Sequence, residues 1–140
     1  MELSNPINNQ HMIDGLNEVL VASFNAQHHC GAVLKKSSDK KVRRVIKELI
    51  NAHDNHIELL SDAIRYLGGA PRTVSDLLPF GKLKTIFFPY RNLRQQEENL
   101  IELCNQKIKY LAGSSEATIK LNLVKDDIAA CLYMTEAVKD

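Results

Sequence analysis

The sequence predicts an all-α fold, an antiparallel four-helix bundle with one long crossover between helices 2 and 3. Apolar residues recur at helical spacing in four long segments. The links between those segments are short, long and short in turn, which suits two antiparallel hairpins joined by a crossover. With 140 residues and 44% hydrophobic content, residues 1–140 are predicted to form a single domain.

The first predicted hairpin follows an N-terminal extension at residues 1–12. Helix 1 spans about residues 13–36 and helix 2 about residues 40–67, each with an apolar stripe on one face. The short turn between them contains Asp39, a residue type that caps helix N-termini. Polar residues interrupt both stripes, at Ser23, Gln27, His53 and His56.

Residues 68–91 are the predicted crossover. Gly68 and Gly69 end helix 2, because glycine readily adopts the left-handed conformation that closes a helix. The segment contains three prolines and a surplus of apolar side chains, which predicts a homodimer or a small homo-oligomer. These apolar residues are Phe80, Ile86, Phe87, Phe88 and Tyr90.

The second predicted hairpin consists of helix 3, about residues 92–112, and helix 4, about residues 117–138. On the inner stripe of helix 3, Glu97 interrupts a run of apolar residues. The inner stripe predicted for helix 4 consists of Ile119, Leu123, Asp127, Ala130, Met134 and Val138. Counting from the turns, the polar residues of all four helices are expected at one level of the bundle.

Two features point to a family. One is Leu16-Asn17 at the start of helix 1, and the other is His56 in helix 2 twelve residues before the Gly68-Gly69 pair. On these motifs, residues 16–135 resemble bacterioferritins and their smaller ferritin-like relatives. The resemblance implies a site for two iron ions, with a Glu on helices 1 and 3 and a Glu-x-x-His on helices 2 and 4.

Only part of that implied ligand set occurs in this chain. Position by position, the helix 1 Glu is replaced by Ser23, and the first Glu-x-x-His becomes His53-Asp-Asn-His56. Glu97 matches the helix 3 Glu, and the helix 4 motif becomes Asp127-Ile-Ala-Ala130, without its histidine. Losing two carboxylates from the first hairpin argues against a normal di-iron centre.

The remaining residues His53, His56, Glu97 and Asp127 have the composition of a site for one iron, manganese or zinc ion. Three alternatives stay open: one ion, two ions, or a metal-free layer in which the histidines bond to Glu97, Asp127 or Gln27. An inward Lys107 would compete with a cation for these carboxylates and favours the metal-free layer.

The leading hypothesis is therefore a bacterioferritin-like metal-binding protein in iron handling or oxidative chemistry. The alternative is a non-catalytic bundle that serves as an interaction or oligomerisation module. The sequence does not decide whether the protein is an enzyme. No haem is expected, because Asp54 occupies the position where the resemblance requires a methionine ligand.

Charge and composition exclude two other classes of partner, nucleic acids and membranes. The formal net charge is +1, from 18 Lys+Arg and 17 Asp+Glu, so no nucleic-acid partner is predicted. No apolar run approaches a membrane span, and the N-terminus lacks a secretory pattern, which predicts a cytoplasmic protein without a membrane partner. The dispersed cysteines Cys30, Cys104 and Cys131 are predicted to be reduced, small core residues.

Overall fold

A computed structural model describes residues 6–73, 89–110 and 115–136 of the chain. These residues form four long α-helices and contain no β-strand. The predicted all-α four-helix fold is thereby confirmed. The helices are α1 (Pro6–Lys36), α2 (Lys40–Tyr66), α3 (Pro89–Tyr110) and α4 (Ser115–Glu136).

Helix α1 begins at Pro6, earlier than the predicted start at Ile13. Proline is well suited to the first helical position, where its fixed backbone angle fits and its missing N–H has no intrahelical partner to lose. Part of the predicted N-terminal extension is therefore helical. None of the four described helices has both the length and the apolarity that a membrane span requires.

The turn between α1 and α2 is fixed by side chains on both sides. The Asp39 carboxylate accepts hydrogen bonds from the backbone N–H groups of Lys41 at 2.8 Å and Val42 at 3.1 Å, so Asp39 caps α2 as predicted. The Arg43 guanidinium donates to the carbonyl oxygens of Leu34 at 2.7 Å and Ser37 at 2.9 Å. These two bonds tie Arg43 of α2 to one carbonyl in the last turn of α1 and to one in the turn that follows it, where helical partners are lacking.

Helix α2 ends in a Schellman motif at the predicted glycine pair. Gly68 has φ of 88° and donates to the Arg65 carbonyl at 2.9 Å, while Gly69 donates to the Ile64 carbonyl at 2.9 Å. A Cβ atom on Gly69 would lie 2.7 Å from Cγ2 of Ile13 in α1. The second glycine is thus required by the close approach of the chain to α1.

The helices pack in a square in which α1 contacts α2 and α3, and α4 contacts the same two helices. Within the described residues, the backbones of the diagonal pair α2 and α3 do not approach each other. Buried apolar residues divide into two clusters along the bundle, with Leu67 in the cluster that contains Ile13 and Leu93 in the cluster that contains Cys30. The last residues of α2 and the first residues of α3 therefore lie at opposite ends of the bundle.

That placement is what a crossover between helices 2 and 3 requires. The predicted crossover itself lies largely outside the described residues, as do Phe80, Ile86, Phe87 and Phe88 of the proposed oligomer contact. The side chain of Tyr90 also lies outside the described part of the chain. The predictions for this segment remain predictions.

The inner face predicted for helix 4 is wrong. Ile119 and Leu123 are 54% and 52% exposed, and Ala130 is also exposed. Helix α4 is apolar on two faces, so its periodicity does not determine which face packs inward. The buried residues of α4 are Ala117, Leu121, Val124, Ile128, Cys131 and Leu132.

Candidate metal centre

The two histidines of α2 lie inside the bundle, where His53 is 0% and His56 3% exposed. They are three positions apart on one helix, so both project from the same face toward α3 and α4. Their ring centroids are 5.5 Å apart and the ring planes cross at 84°. The inward face of α2 thus places two imidazole rings in the bundle interior, in edge contact with each other.

His53 pairs with Glu97 across the diagonal of the bundle. The distance from His53 Nε2 to Glu97 Oε2 is 2.8 Å, and both side chains are 0% exposed. A pair sealed from water in this way is costly to assemble, because both groups lose their hydration. Its geometry must therefore be favourable for the fold to tolerate it.

Cys30 is the third member of this group. Its Sγ lies 3.8 Å from Glu97 Oε2, and the side chain is fully buried. Burial, followed by the negative charge of Glu97, raises the pKa of the Cys30 thiol far above its ordinary value, so the metal-free protein holds it as S–H. The thiol donates toward the same carboxylate oxygen that His53 contacts.

His56 pairs with Asp127 of α4 at the edge of the core. The distance from His56 Nε2 to Asp127 Oδ2 is 2.5 Å, and the Asp127 side chain is 47% exposed. Burial lowers the pKa of His56, outweighing the opposing effect of its hydrogen bond to Asp127. The neutral imidazole therefore donates its Nε2 proton to the carboxylate, and Nδ1 carries a lone pair.

We call the residues Ser23, Cys30, His53, His56, Glu97 and Asp127 the polar layer. Four of its buried atoms have no hydrogen-bond partner among the described residues, namely Ser23 Oγ, His53 Nδ1, His56 Nδ1 and Glu97 Oε1. Buried polar atoms of native proteins are nearly always satisfied, because an unpaired one costs about 1–3 kcal/mol. Three of these four atoms belong to the adjoining side chains of His53, His56 and Glu97, and unpaired nitrogen and oxygen atoms brought together in this way are what a ligand-binding layer provides.

The residues predicted as ligands thus lie in two neighbouring pairs, His53 with Glu97 and His56 with Asp127. Asp127 reaches the layer from the side of α4, because its own position is not on the buried face. Gln27, offered as a metal-free partner, instead donates to the Ile50 carbonyl and to Asp54. The Lys107 ammonium forms an ion pair with the exposed carboxylate of Glu18.

Cys30 was not predicted as a ligand of this layer. With His28 and His29 it was a minor candidate for a metal site at the surface or at a subunit interface, and a small core residue was the favoured interpretation. A signal existed, since Cys30 lies on the same stripe as Ser23, two turns further along α1. The register between α1 and α3 places it against Glu97, and the sequence alone does not determine that register. The sulfur atom of Cys30, a ring nitrogen of His53 and a carboxylate oxygen of Glu97 all lie within 4.8 Å of one another.

The donor set does not fit the two-iron site that the resemblance implies. Ser23 and His53 occupy two expected Glu positions, and Ala130, in place of a histidine, is exposed. Two adjacent cations would therefore lack the bridging carboxylates that offset their repulsion. One cation is better matched to the charges present.

Comparison with known proteins gives no relative. No protein-family model, curated protein or solved structure matches this chain.

Proposed function

We propose that this chain is a bacterioferritin-like metal-binding protein that holds one divalent transition-metal ion in its polar layer, with a role in iron handling or oxidative chemistry. The residues assigned to the ion are His53, His56, Glu97 and Asp127. The observation that carries the proposal is the pairing of each buried histidine with a carboxylate, at 2.8 Å and 2.5 Å.

Such pairs are the usual surroundings of a metal-binding histidine. One ring nitrogen donates its proton to a carboxylate, which fixes the ring and leaves the other nitrogen as a lone-pair donor. His56 Nδ1 has this character, and it is buried without a partner among the described residues. In the tautomer that donates from Nε2 to the Glu97 carboxylate, His53 Nδ1 has the same character.

Charge also supports a single ion. Two carboxylates and two neutral imidazoles balance one divalent cation, whereas a second cation would add an uncompensated double charge to a buried site. Iron, manganese and zinc all accept nitrogen and oxygen donors, so the pairs alone do not select among them. The iron-related role rests on the family resemblance.

A non-catalytic bundle without metal is the second candidate, and one observation favours it. Both Nε2 atoms already face carboxylate oxygens, so each pair can stand as a self-contained hydrogen-bonded unit. In that case the layer is structural, and the bundle serves as an interaction or oligomerisation module.

Metal analysis of the full chain, purified without a histidine tag, separates the two candidates. We expect about one equivalent of metal per chain after exposure to Fe²⁺, Mn²⁺ or Zn²⁺, and a rise in melting temperature, because an ion that binds only the folded state stabilises it. The double variant His53→Ala with His56→Ala should lose both effects while circular dichroism still reports a helical fold.

The matched control is His28→Ala, which removes an exposed histidine of α1. It should bind metal as the unsubstituted protein does. Absence of bound metal, together with a melting temperature that no added ion changes, would refute the proposal in favour of the metal-free bundle. A stoichiometry near two would refute the single ion.

A further inference from the structure

The polar layer contains a tighter group of donors than the four residues assigned above. Cys30 of α1, His53 of α2 and Glu97 of α3 are each fully buried and come from three different helices. The distance from Glu97 Oε2 to His53 Nε2 is 2.8 Å, and that from Glu97 Oε2 to Cys30 Sγ is 3.8 Å. All three donors are thus directed at one small region.

We infer that Cys30, His53 and Glu97 form a thiolate–imidazole–carboxylate site, and that its ion is a thiophilic divalent cation of the Zn²⁺ class. This inference rests on the proposed single-ion function and deepens it. It replaces iron by a softer ion, and it adds a ligand that a ferritin-like resemblance does not supply. His56 and Asp127 then adjoin the ion's three protein ligands, and their pair supports His53 through the ring contact.

The distances suit this chemistry. Bonds of about 2.3 Å to sulfur and about 2.0–2.2 Å to nitrogen and oxygen place tetrahedral zinc ligands about 3.4–3.6 Å apart. The observed 2.8 Å and 3.8 Å lie on either side of that separation. The Cys30 sulfur and a His53 ring nitrogen are also within 4.8 Å of each other, so all three separations are close to the tetrahedral spacing.

Charge and hydrogen bonding support the same group. A thiolate and a carboxylate neutralise one divalent cation, so the loaded site carries no net charge in a fully buried position. Glu97 Oε1 is buried and has no hydrogen-bond partner among the described residues, although the same carboxylate accepts through Oε2. This unpaired oxygen is an independent sign that the carboxylate has a further ligand.

The sulfur donor selects the metal class. Thiolates favour zinc and other soft or borderline ions, whereas manganese prefers oxygen ligands. When the ion binds, the S–H bond of Cys30 breaks, the proton goes to solvent, and the sulfur lone pair forms the metal bond. His53 binds this ion through Nε2, so its ring proton moves by way of solvent from Nε2 to Nδ1 and the hydrogen bond to Glu97 Oε2 is replaced by the two metal bonds. Three protein ligands leave a fourth tetrahedral position for water or a small ligand.

The test uses the full chain and Co²⁺, which replaces Zn²⁺ and reports its ligands by absorption. A cobalt–thiolate bond gives an intense near-ultraviolet charge-transfer band, which nitrogen and oxygen ligands do not produce. We expect this band in the unsubstituted protein and its displacement by Zn²⁺. That measurement requires no variant, so it does not depend on how a substitution folds.

Two variants complete the test. Cys30→Ser should abolish the band and weaken Zn²⁺ binding by at least about 100-fold, since even outer-shell changes cost about 10–100-fold, while Mn²⁺ binding changes far less. Cys104→Ser is the matched control, because Cys104 is equally buried but lies in the other apolar cluster. It should keep both the band and the affinity.

The outcomes separate the two proposals. Cobalt bound without a charge-transfer band, or Zn²⁺ affinity unchanged in Cys30→Ser, overturns the thiolate site and leaves the single-ion function standing. Failure of every ion to bind the unsubstituted protein overturns both. If the band were lost in Cys104→Ser and kept in Cys30→Ser, the sulfur ligand would be Cys104, and the inference would be overturned.

Discussion

His53 and His56 stand one turn apart on α2, and each faces a carboxylate, but their surroundings differ. The His53–Glu97 pair is fully buried and shares its carboxylate with the Cys30 thiol, whereas Asp127 of the second pair is 47% exposed. If a carboxylate is removed, water can take the place of the half-exposed second one and accept from its histidine, but it cannot reach the place of the first. The same pair of residue types thus stabilises the fold to different degrees, depending on depth in the bundle.

The largest expected effect follows from removing each carboxylate in turn, in metal-free protein with a chelator present. Glu97→Ala leaves the His53 ring and the Cys30 thiol buried without their acceptor and should lower the free energy of unfolding by about 1–3 kcal/mol for each donor left unpaired. Asp127→Ala should cost less, about 1 kcal/mol, because water can enter at the half-exposed position of the carboxylate and accept a hydrogen bond from His56. Urea denaturation measures both.

Glu98→Ala is the control for this comparison, because Glu98 neighbours Glu97 but forms a half-exposed ion pair with Arg94 at 3.3 Å. Its loss should change stability by about 0.5 kcal/mol or less. Similar losses in Glu97→Ala and Asp127→Ala would show that burial does not distinguish the two pairs.

A second experiment asks whether the buried pair exists for stability or for binding. Replacing both members with apolar residues, His53→Leu with Glu97→Met, should leave stability nearly unchanged or raise it, because no atom of the pair is then left buried and unpaired. Metal binding should be lost. A double variant less stable than Glu97→Ala would indicate that the pair is mainly structural.

The second pair should have a smaller effect, which is seen in how the stability of the fold depends on pH. The pKa of His56 is lowered below its ordinary value of 6.5 in the folded protein, mainly by burial, so the unfolded chain binds the proton more readily. His56 should leave stability unaffected above pH 6.5 and reduce it as the pH falls from there toward the lowered folded-state pKa.

His56→Gln should therefore flatten the stability curve on the acid side, as measured by urea denaturation of metal-free protein between neutral and mildly acidic pH. Asn51→Ala, an exposed change on the same helix, should keep the slope. An acid slope that survives in His56→Gln would assign it to another group.

The smallest expected effect tests the helix next to the buried pair. Gly31 follows Cys30 in α1, and a Cβ atom there would meet nothing within 4 Å. Gly31→Ala should raise the free energy of unfolding by about 0.5–1 kcal/mol through helix propensity alone and leave metal affinity unchanged. A loss of stability would show that this part of α1 needs glycine, so that effects of nearby variants could not be assigned to side-chain chemistry.

The sequence predicted most of the first hairpin, because its signals agree with one another. The Asp39 cap, the glycine pair after α2 and the apolar stripe around His53 and His56 all favour the same helices. Helix 4 was mispredicted because two apolar stripes compete, and the choice of Asp127 as an inward residue favoured the wrong one. Asp127 nevertheless contacts His56, since its side chain reaches inward from the flank.

The site was only partly predictable for a related reason. His53, His56 and Glu97 are polar residues on clear apolar stripes, so their burial follows from periodicity. The contact between Cys30 and Glu97 depends on the register of α1 against α3, which is set by packing between the two hairpins. Local patterns hold no information on that register.

The diagonal contact between His53 and Glu97 has a consequence for how the bundle opens. Helix α2 belongs to one hairpin and α3 to the other, and their described backbones do not approach each other, yet these two side chains span the gap. The hairpins cannot separate unless that contact breaks. An ion bound there would therefore slow amide hydrogen exchange in both hairpins together, merging two opening units into one.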